Sequence, residues 1–578
     1  MPGLARLSRA TAVVALLAAA LHPAQPASAI PPPNGATWSE TFINTPDGES
    51  LHVDVMRPVG LTDADKTPVI LVVSPYLGIA AAGTGNTSAT PGPNNRFFDF
   101  YNGAKVFERG YSVVQVSLRG TGGSSGCLDI LGPGEQTDVA TAVRWAATQP
   151  WSNGKVGMYG KSYDANTGVI GAALEPPGLA AVVAQQITPD RYRGSYNDRV
   201  RYAQSVLYPS ATYGTQGEGG FSTNSSQEYI VNSAAHTADC QAFLTDHYLE
   251  DESIPFWRVR DFPERAEGST VPVLMSTGYL DAATNIGGGA IDFYNALAGP
   301  KRMWIGWWDH VRGNDMVGGR LAMGREGWFD EVMRFFDYHV KGLSLTEAPT
   351  HLDPVIAAQG SDGTWREETT FPPEDASDAP ITLINGTYED DGENQGSRGG
   401  NGAGGTAYPS AKRGHGAWTF SPPLPHDVHV TGIPTAEVIL DVEVPRTNVA
   451  INVYDVDPDG NATMITRGAA MADTDGVEQV ALYPTDWHFE AGHRIGVLVS
   501  GANNEAYTHV ATGTVVNVVS GKVELPALSY RRVSDLQGEP AVELEAWLVN
   551  APFLVPAATI TGRTSTTFEA PPPLQDRP

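Results

Sequence analysis

Cysteine is nearly absent: the 578 residues contain two, Cys127 and Cys240. With the two 113 residues apart, neither a Cys-x-x-Cys pair nor a Cys/His cluster appears, and no structural zinc site is expected. The sequence leaves their pairing open. In an oxidising compartment they would close a long loop, and two separate buried thiols would fit equally well. Positive charge is also scarce, with 37 Lys and Arg against 65 Asp and Glu and a net charge of −28. Neutralising phosphates requires a Lys/Arg surface, so no nucleic-acid partner and no membrane partner is expected. Long apolar runs are missing too. The longest, Ala10 to Leu21, is interrupted only by Thr11 and falls short of the ~20 residues a membrane span needs.

Hydrophobic residues are 41% and charged residues 18% of the chain, a globular composition with fewer charges than the usual ~25%. The 63 glycines and 43 prolines point to many turns and much β structure. The length exceeds the ~250–300 residues at which one core stops growing, so two to four domains are expected.

The N-terminus reads as a secretory signal. Arg6 and Arg9 precede the apolar run, and Ala27-Ser28-Ala29 offers an A-x-A cleavage site. Residues 1–29 are therefore expected to be removed, leaving a secreted chain that starts near Ile30.

From Trp38 to Leu343, short apolar runs alternate with helical spacing. Val69 to Val73, Tyr111 to Val116, Val156 to Tyr159, Val271 to Met275 and Met303 to Trp308 read as strands buried on both faces. Gly134 to Gln149 and Asp330 to Gly342 read as helices. This alternation predicts an open α/β sheet over residues 30–345. Residues 188–267 break the rhythm and read as an inserted cap with short helices. Residues 346–560 read as an all-β sandwich or jelly roll, with strands such as Ala436 to Val442 and a turn at Asp457-Pro458-Asp459-Gly460. Gly392 to Gly405 reads as a mobile loop, and residues 561–578 as a disordered tail.

The most informative segment is Val156 to Ala165, VGMYGKSYDA. A short strand enters Gly160-Lys161-Ser162 and leaves as a helix rich in small residues. That is the setting of a nucleophile elbow, although Asp164 stands where the strict G-x-S-x-G pattern has its second glycine. A helix N-cap serine would occupy the same place in sequence. A nucleophilic serine needs a base, and the base an orienting carboxylate. In the order Ser, acid, His, Asp281 follows one strand and His310 follows the next, both at the sheet edge where open α/β sites gather. His236 and His247 precede Asp281, His339 lies on a helix, and Asp309 is adjacent to His310. An oxyanion hole would take the backbone N–H of Tyr163 and a second donor near Tyr76, either a backbone N–H or the Tyr76 hydroxyl. Arg119 to Gly126 lacks the Gly-Lys-Ser/Thr ending of a phosphate loop and reads as structural.

These residues together resemble the X-prolyl dipeptidyl-peptidase/cocaine-esterase family of serine hydrolases. The likeness rests on Pro75-Tyr76, Arg119 to Gly126, Gly160-Lys161-Ser162-Tyr163 and the late Asp and His loops. Tyr454 to Gly460 and Ala491 to Arg494 add to it. It implies an α/β-hydrolase domain with a helical cap, followed by a jelly-roll domain. It further implies Ser162 as nucleophile, Asp281 as acid, His310 as base, an oxyanion hole of Tyr76 hydroxyl and Tyr163 N–H, and no cofactor or metal. One departure is Ala165, where the family usually has glycine. The expected substrate is a small peptide or ester, with release of Xaa-Pro dipeptides favoured over carboxylesterase or α-amino-acid ester hydrolase/acylase activity. A non-catalytic surface-binding protein is the alternative of another class. For a substrate ammonium the insertion offers Asp190, Asp198, Glu218, Glu228 and Asp239. For an apolar pocket it offers Tyr192, Tyr202, Phe256 and Trp257.

Overall fold

The computed structural model describes residues 30–77, 92–205, 228, 231–232, 240, 245–281, 287–391, 414–503 and 505–576. The expected leader and the loop Gly392 to Gly405 lie outside the described residues, as do Glu218, His236 and Asp239.

A ten-stranded sheet forms the first layer system. Its strands are β1 (Ala36–Asn44), β2 (Ser50–Pro58), β3 (Thr67–Ser74), β4 (Ser112–Ser117), β5 (Ser152–Lys161), β6 (Leu179–Gln185), β7 (Val273–Gly278), β8 (Lys301–Gly306), β9 (Ile356–Gln359) and β10 (Trp365–Glu368). They lie in the order β1-β2-β4-β3-β5-β6-β7-β8-β9-β10. From β4 to β9 neighbouring strands are parallel, and antiparallel β1, β2 and β10 close the two edges. Every residue of β3 is buried, as expected where helices cover both faces of a parallel sheet. Helix α1 (Pro133–Thr148) starts with proline in its first turn. The Asp129 carboxylate accepts from the Gly134 and Glu135 N–H groups at 2.7 and 3.1 Å, satisfying donors the helix cannot pair. It ends at Gln149, held extended by the following Pro150. Helix α2 (Tyr163–Leu174) covers β5 and β6 and is buried from Tyr163 to Ala172.

The C-terminal part is an antiparallel sandwich of a seven-stranded and a five-stranded sheet. Three of its strands matter below: β11 (Val428–Gly432), β12 (Thr447–Val456) and β13 (Thr485–Phe489). The Asp457 to Gly460 turn links β12 to Asn461–Ala472. The Asp457 carboxylate accepts from Asn461 N at 2.8 Å, and Gly460 takes a φ of +87° that favours glycine. The fold is thus an α/β-hydrolase domain joined to an all-β domain, and one continuous apolar core runs through both.

Two sequence boundaries are corrected by the structure. The α/β sheet does not end at residue 345, because β9 pairs with β8 and β10 with β9. Residues 561–576 are not disordered. Thr564 bridges Phe420, Gln575 bridges Tyr530, and Phe568 and Ala570 pack on the core. The described part of the insertion holds a hairpin, Tyr196–Asn197 with Val200–Arg201, and short helices at Asp246–Tyr248, Pro255–Arg258 and Phe262–Arg265. Cys240 is joined to Cys127 by a disulfide, with Cα atoms 5.3 Å apart, so the insertion is tied to the loop after β4. No helix of the described residues is long and apolar enough to cross a membrane.

Candidate active site

Ser162 sits between β5 and α2 with φ 67° and ψ −126°. A non-glycine residue in this region is strained and persists only when its surroundings fix it. The Ser162 N–H donates to the Gln185 carbonyl at 2.9 Å, and the Ser162 carbonyl accepts from Ala165 and Asn166 at 3.0 Å each. Gly160 is required by closeness: a Cβ there would lie 2.2 Å from the Asp164 carbonyl oxygen. Ala165 is fully buried in α2 and absent from the positive-φ residues. The position where the family usually has glycine therefore needs no special backbone freedom.

Asp164, in place of the second motif glycine, is buried and paired with the Arg96 guanidinium. Arg96 also donates to the Lys161 carbonyl at 3.2 Å and lies over the Tyr76 ring, 4.1 Å from its centroid. Burial holds the Asp164 carboxyl above its ordinary range even though Arg96 opposes this. The Lys161 ammonium is pushed down to about 8, chiefly by burial, with Asp281 opposing and Arg96 adding to it.

Asp281 follows β7 and His310 follows β8, so Ser162, Asp281 and His310 all leave the carboxyl edge of parallel strands. Asp281 is 3% exposed, and its Oδ2 lies 2.9 Å from Nδ1 of His310. A buried carboxylate there fixes the imidazole tautomer and leaves Nε2 to take a proton. A Cβ on Gly278 would lie 2.1 Å from the Trp308 carbonyl oxygen, so glycine lets the strand ends that lead to Asp281 and His310 approach. Gln185, at the end of β6, was not singled out by sequence. Its carbonyl takes the Ser162 N–H, and its side-chain oxygen takes the Gly313 N–H at 3.1 Å. The signal the sequence offers for it is the polar pair Gln185-Gln186 closing the apolar run Leu179 to Ala184.

Tyr163 is 1% exposed. Its hydroxyl donates to Glu135 Oε2 at 2.8 Å and accepts from Leu131 N at 3.2 Å, which anchors the backbone that follows Ser162. Tyr76 lies edge-on to Tyr163, with centroids 6.4 Å apart. The Arg119 loop is structural: Arg119 forms a buried pair with Asp138 at 2.8 Å and reaches Asp47 at 2.9 Å.

The remaining candidates are dispersed. Asp190 is buried and accepts from Arg193 N at 3.0 Å, and burial raises its carboxyl to about 7. Glu228 takes the Ser50 hydroxyl at 2.7 Å, and Asp261 caps a short helix. Tyr192, Tyr202 and Asp198 line a cavity of about 260 Å³ between the insertion and the β domain, whose lining includes none of Ser162, Asp281 and His310. Trp257 and Phe256 pack within the insertion's own aromatic cluster. His429, Asp486 and His488 place donor atoms within 4.8 Å of one another. Their chemistry is already engaged, since Asp486 pairs with Arg366 and His429 and the two imidazoles stack 3.7 Å apart.

Residues 47–312 match the family model described as X-Pro dipeptidyl-peptidase (S15 family). Residues 348–537 match that of the X-Pro dipeptidyl-peptidase C-terminal non-catalytic domain. A Streptomyces avermitilis protein provisionally named Xaa-Pro dipeptidyl-peptidase is 26% identical over 61% of this chain, and the match spans only 52% of that protein. Cocaine esterase from Rhodococcus sp. is 25% identical over 84% of this chain and 94% of its own. Among solved structures, an aminopeptidase from a marine sediment Thaumarchaeota archaeon superposes with TM-score 0.65 at 18% identity, covering 86% of this chain and 98% of its own. An α-amino acid ester hydrolase gives 0.65 at 18% identity over 86% and 97%.

Proposed function

We propose, for a chain that belongs to the X-Pro dipeptidyl-peptidase/cocaine-esterase family of serine hydrolases, that it is a secreted enzyme releasing Xaa-Pro dipeptides from peptide N-termini. In this reading Ser162 attacks the scissile carbonyl, and His310 takes its proton and returns it to the leaving amine. Asp281 holds the imidazole and steadies its charged form. The Tyr163 N–H and the Tyr76 hydroxyl receive the oxyanion. Water then releases the acyl group by the same route in reverse. The observation that carries the reaction class is the 2.9 Å contact between buried Asp281 and His310, on strand ends that share an edge with the strained Ser162.

Peptide substrates are supported by the family descriptions matched over both domains. An ester substrate is the second reading, favoured by the match to cocaine esterase over nearly its full length. Secretion is supported by the Arg6 to Ala29 pattern and by a disulfide in a chain with two cysteines.

The test pairs the mature protein with its Ser162→Ala variant on three substrates: an unblocked Xaa-Pro anilide, its N-blocked copy and a short aryl ester. Turnover of the unblocked anilide alone, lost in the variant, is the expected result. Ester turnover without anilide turnover would place the protein on the esterase side. Mass analysis of chain from culture medium should give a start near Ile30, and retention of the intact leader in the cell pellet would sink the secretion proposal.

A further inference from the structure

The loop bearing His310 leaves β8 through Trp307-Trp308-Asp309. Trp307 is 1% exposed and is held by both domains. Its indole N–H donates to the Asp486 backbone carbonyl at 2.9 Å. Its ring meets Trp487 at 5.2 Å, inclined by 71°, and Tyr279 at 5.2 Å on the Asp281 segment. That segment is joined to the His310 segment by backbone hydrogen bonds, Tyr279 N to Gly306 O at 2.8 Å and Leu280 N to Trp308 O at 3.2 Å. One indole therefore touches the chain segments that carry both Asp281 and His310, and it rests on β13 of the β domain.

That support is itself braced. The Trp487 indole N–H donates to Asp455 Oδ2 at 3.0 Å, and Asp455 Oδ1 pairs with His493 Nδ1 at 2.8 Å. The Asp486 carboxylate is gripped by Arg366 of β10 and by His429 of β11. Ser361 ties the same strand to the turn after β9: its N–H donates to the Asp486 carbonyl at 3.2 Å, and its Oγ accepts from the His488 backbone N–H at 2.9 Å. Asp455 and His493 belong to the Tyr454 to Gly460 and Ala491 to Arg494 runs, which the reaction leaves unused.

We infer that the Asp486-Trp487 step of β13 is a positioning element for the base, setting the His310 loop against Asp281 through Trp307. The inference rests on the serine-hydrolase reading and makes the β domain part of what orients the triad. A displacement of about 1 Å at a reacting group can cost ~100-fold in rate, so loss of this support should register in turnover as well as in stability.

Three variants isolate it. Trp487→Leu removes the aromatic wall, Trp487→Phe retains one, and Trp307→Phe removes the hydrogen bond to Asp486. Each is followed by the rate and final extent of fluorophosphonate labelling, by kcat and KM on an aryl ester, and by thermal midpoint. The expected result for Trp487→Leu and Trp307→Phe is a labelling rate and kcat lower by about tenfold, with KM within about twofold and labelling complete at long times. Trp487→Phe should recover most of the rate. The inference is overturned if Trp487→Leu and Trp307→Phe stay within about twofold of the parent, or if Trp487→Phe falls as far as Trp487→Leu. It is also overturned if the loss is fully accounted for by a smaller labelled fraction. Absence of Ser162-dependent labelling in the parent would instead overturn the reading of the site.

Discussion

Gln185 and Ser162 share a hydrogen bond that joins two strand ends: the Gln185 carbonyl accepts the Ser162 N–H at 2.9 Å. The same glutamine reaches Gly313 with its side-chain oxygen at 3.1 Å, three residues beyond His310. One buried residue thus spans the serine turn and the His310 loop. Gln185→Leu keeps the backbone bond and removes the side-chain one. Its kcat on an aryl ester should fall roughly 10- to 100-fold with KM little changed, because alignment rather than binding is lost. A kcat within twofold of the parent would show that the loop does not depend on this bond.

The Asp281–His310 contact gives a sharper test. Asp281→Asn keeps the shape but offers an amide, which can stabilise the wrong imidazole tautomer. A fall in kcat of about 10⁴ is expected, by analogy with other triads. Circular dichroism and thermal midpoint should stay near those of the parent. A loss below tenfold would remove Asp281 from its proposed role.

Arg96 is the partner of a carboxylate with no exposed side chain. Arg96→Met leaves Asp164 buried without its cation, a change that costs about 3–5 kcal/mol in comparable pairs. Urea unfolding at neutral pH reads this directly. The same variant removes the cation over Tyr76, so activity per folded molecule should fall as well. A destabilisation below about 1 kcal/mol would mean that Asp164 takes up a proton without cost, as its raised carboxyl would then allow.

His339 supplies a pH signature. It packs against Phe335 and Tyr338, and burial, aided by Arg302 and Lys155, pushes its imidazole down to about 4. Between pH 6.5 and about 4 the unfolded chain therefore binds a proton that the folded chain does not, so this group lowers stability as pH falls through that window. Buried Asp138, raised to about 6, and Asp190, raised to about 7, act in the opposite direction. The comparison must therefore be parent against His339→Gln. The parent should lose stability relative to the variant on going from pH 7 to pH 5, with a slope approaching one proton. Parallel curves of thermal midpoint against pH would contradict this.

The sequence by itself determined what depends on local pattern. Apolar runs such as Val69 to Val73 announce strands covered on both faces, because only β spacing with no polar side suits a parallel sheet. The Gly160-Lys161-Ser162 step between a strand and a helix marked the turn at Ser162. The order of strand ends singled out Asp281 and His310, which the structure places 2.9 Å apart. Contacts between distant segments were decided only in three dimensions. β9 and β10 resemble the β domain in composition, yet they extend the α/β sheet because the exposed edge of β8 needs a partner. The proline-rich tail reads as disordered, but Phe568 packs half-buried against the core. The partners of Gln185, Asp164 and Trp307 lie 128, 68 and 179 residues away. A hydrogen-bonding group carries no sequence record of which distant partner will satisfy it, and burial in the folded core makes that choice.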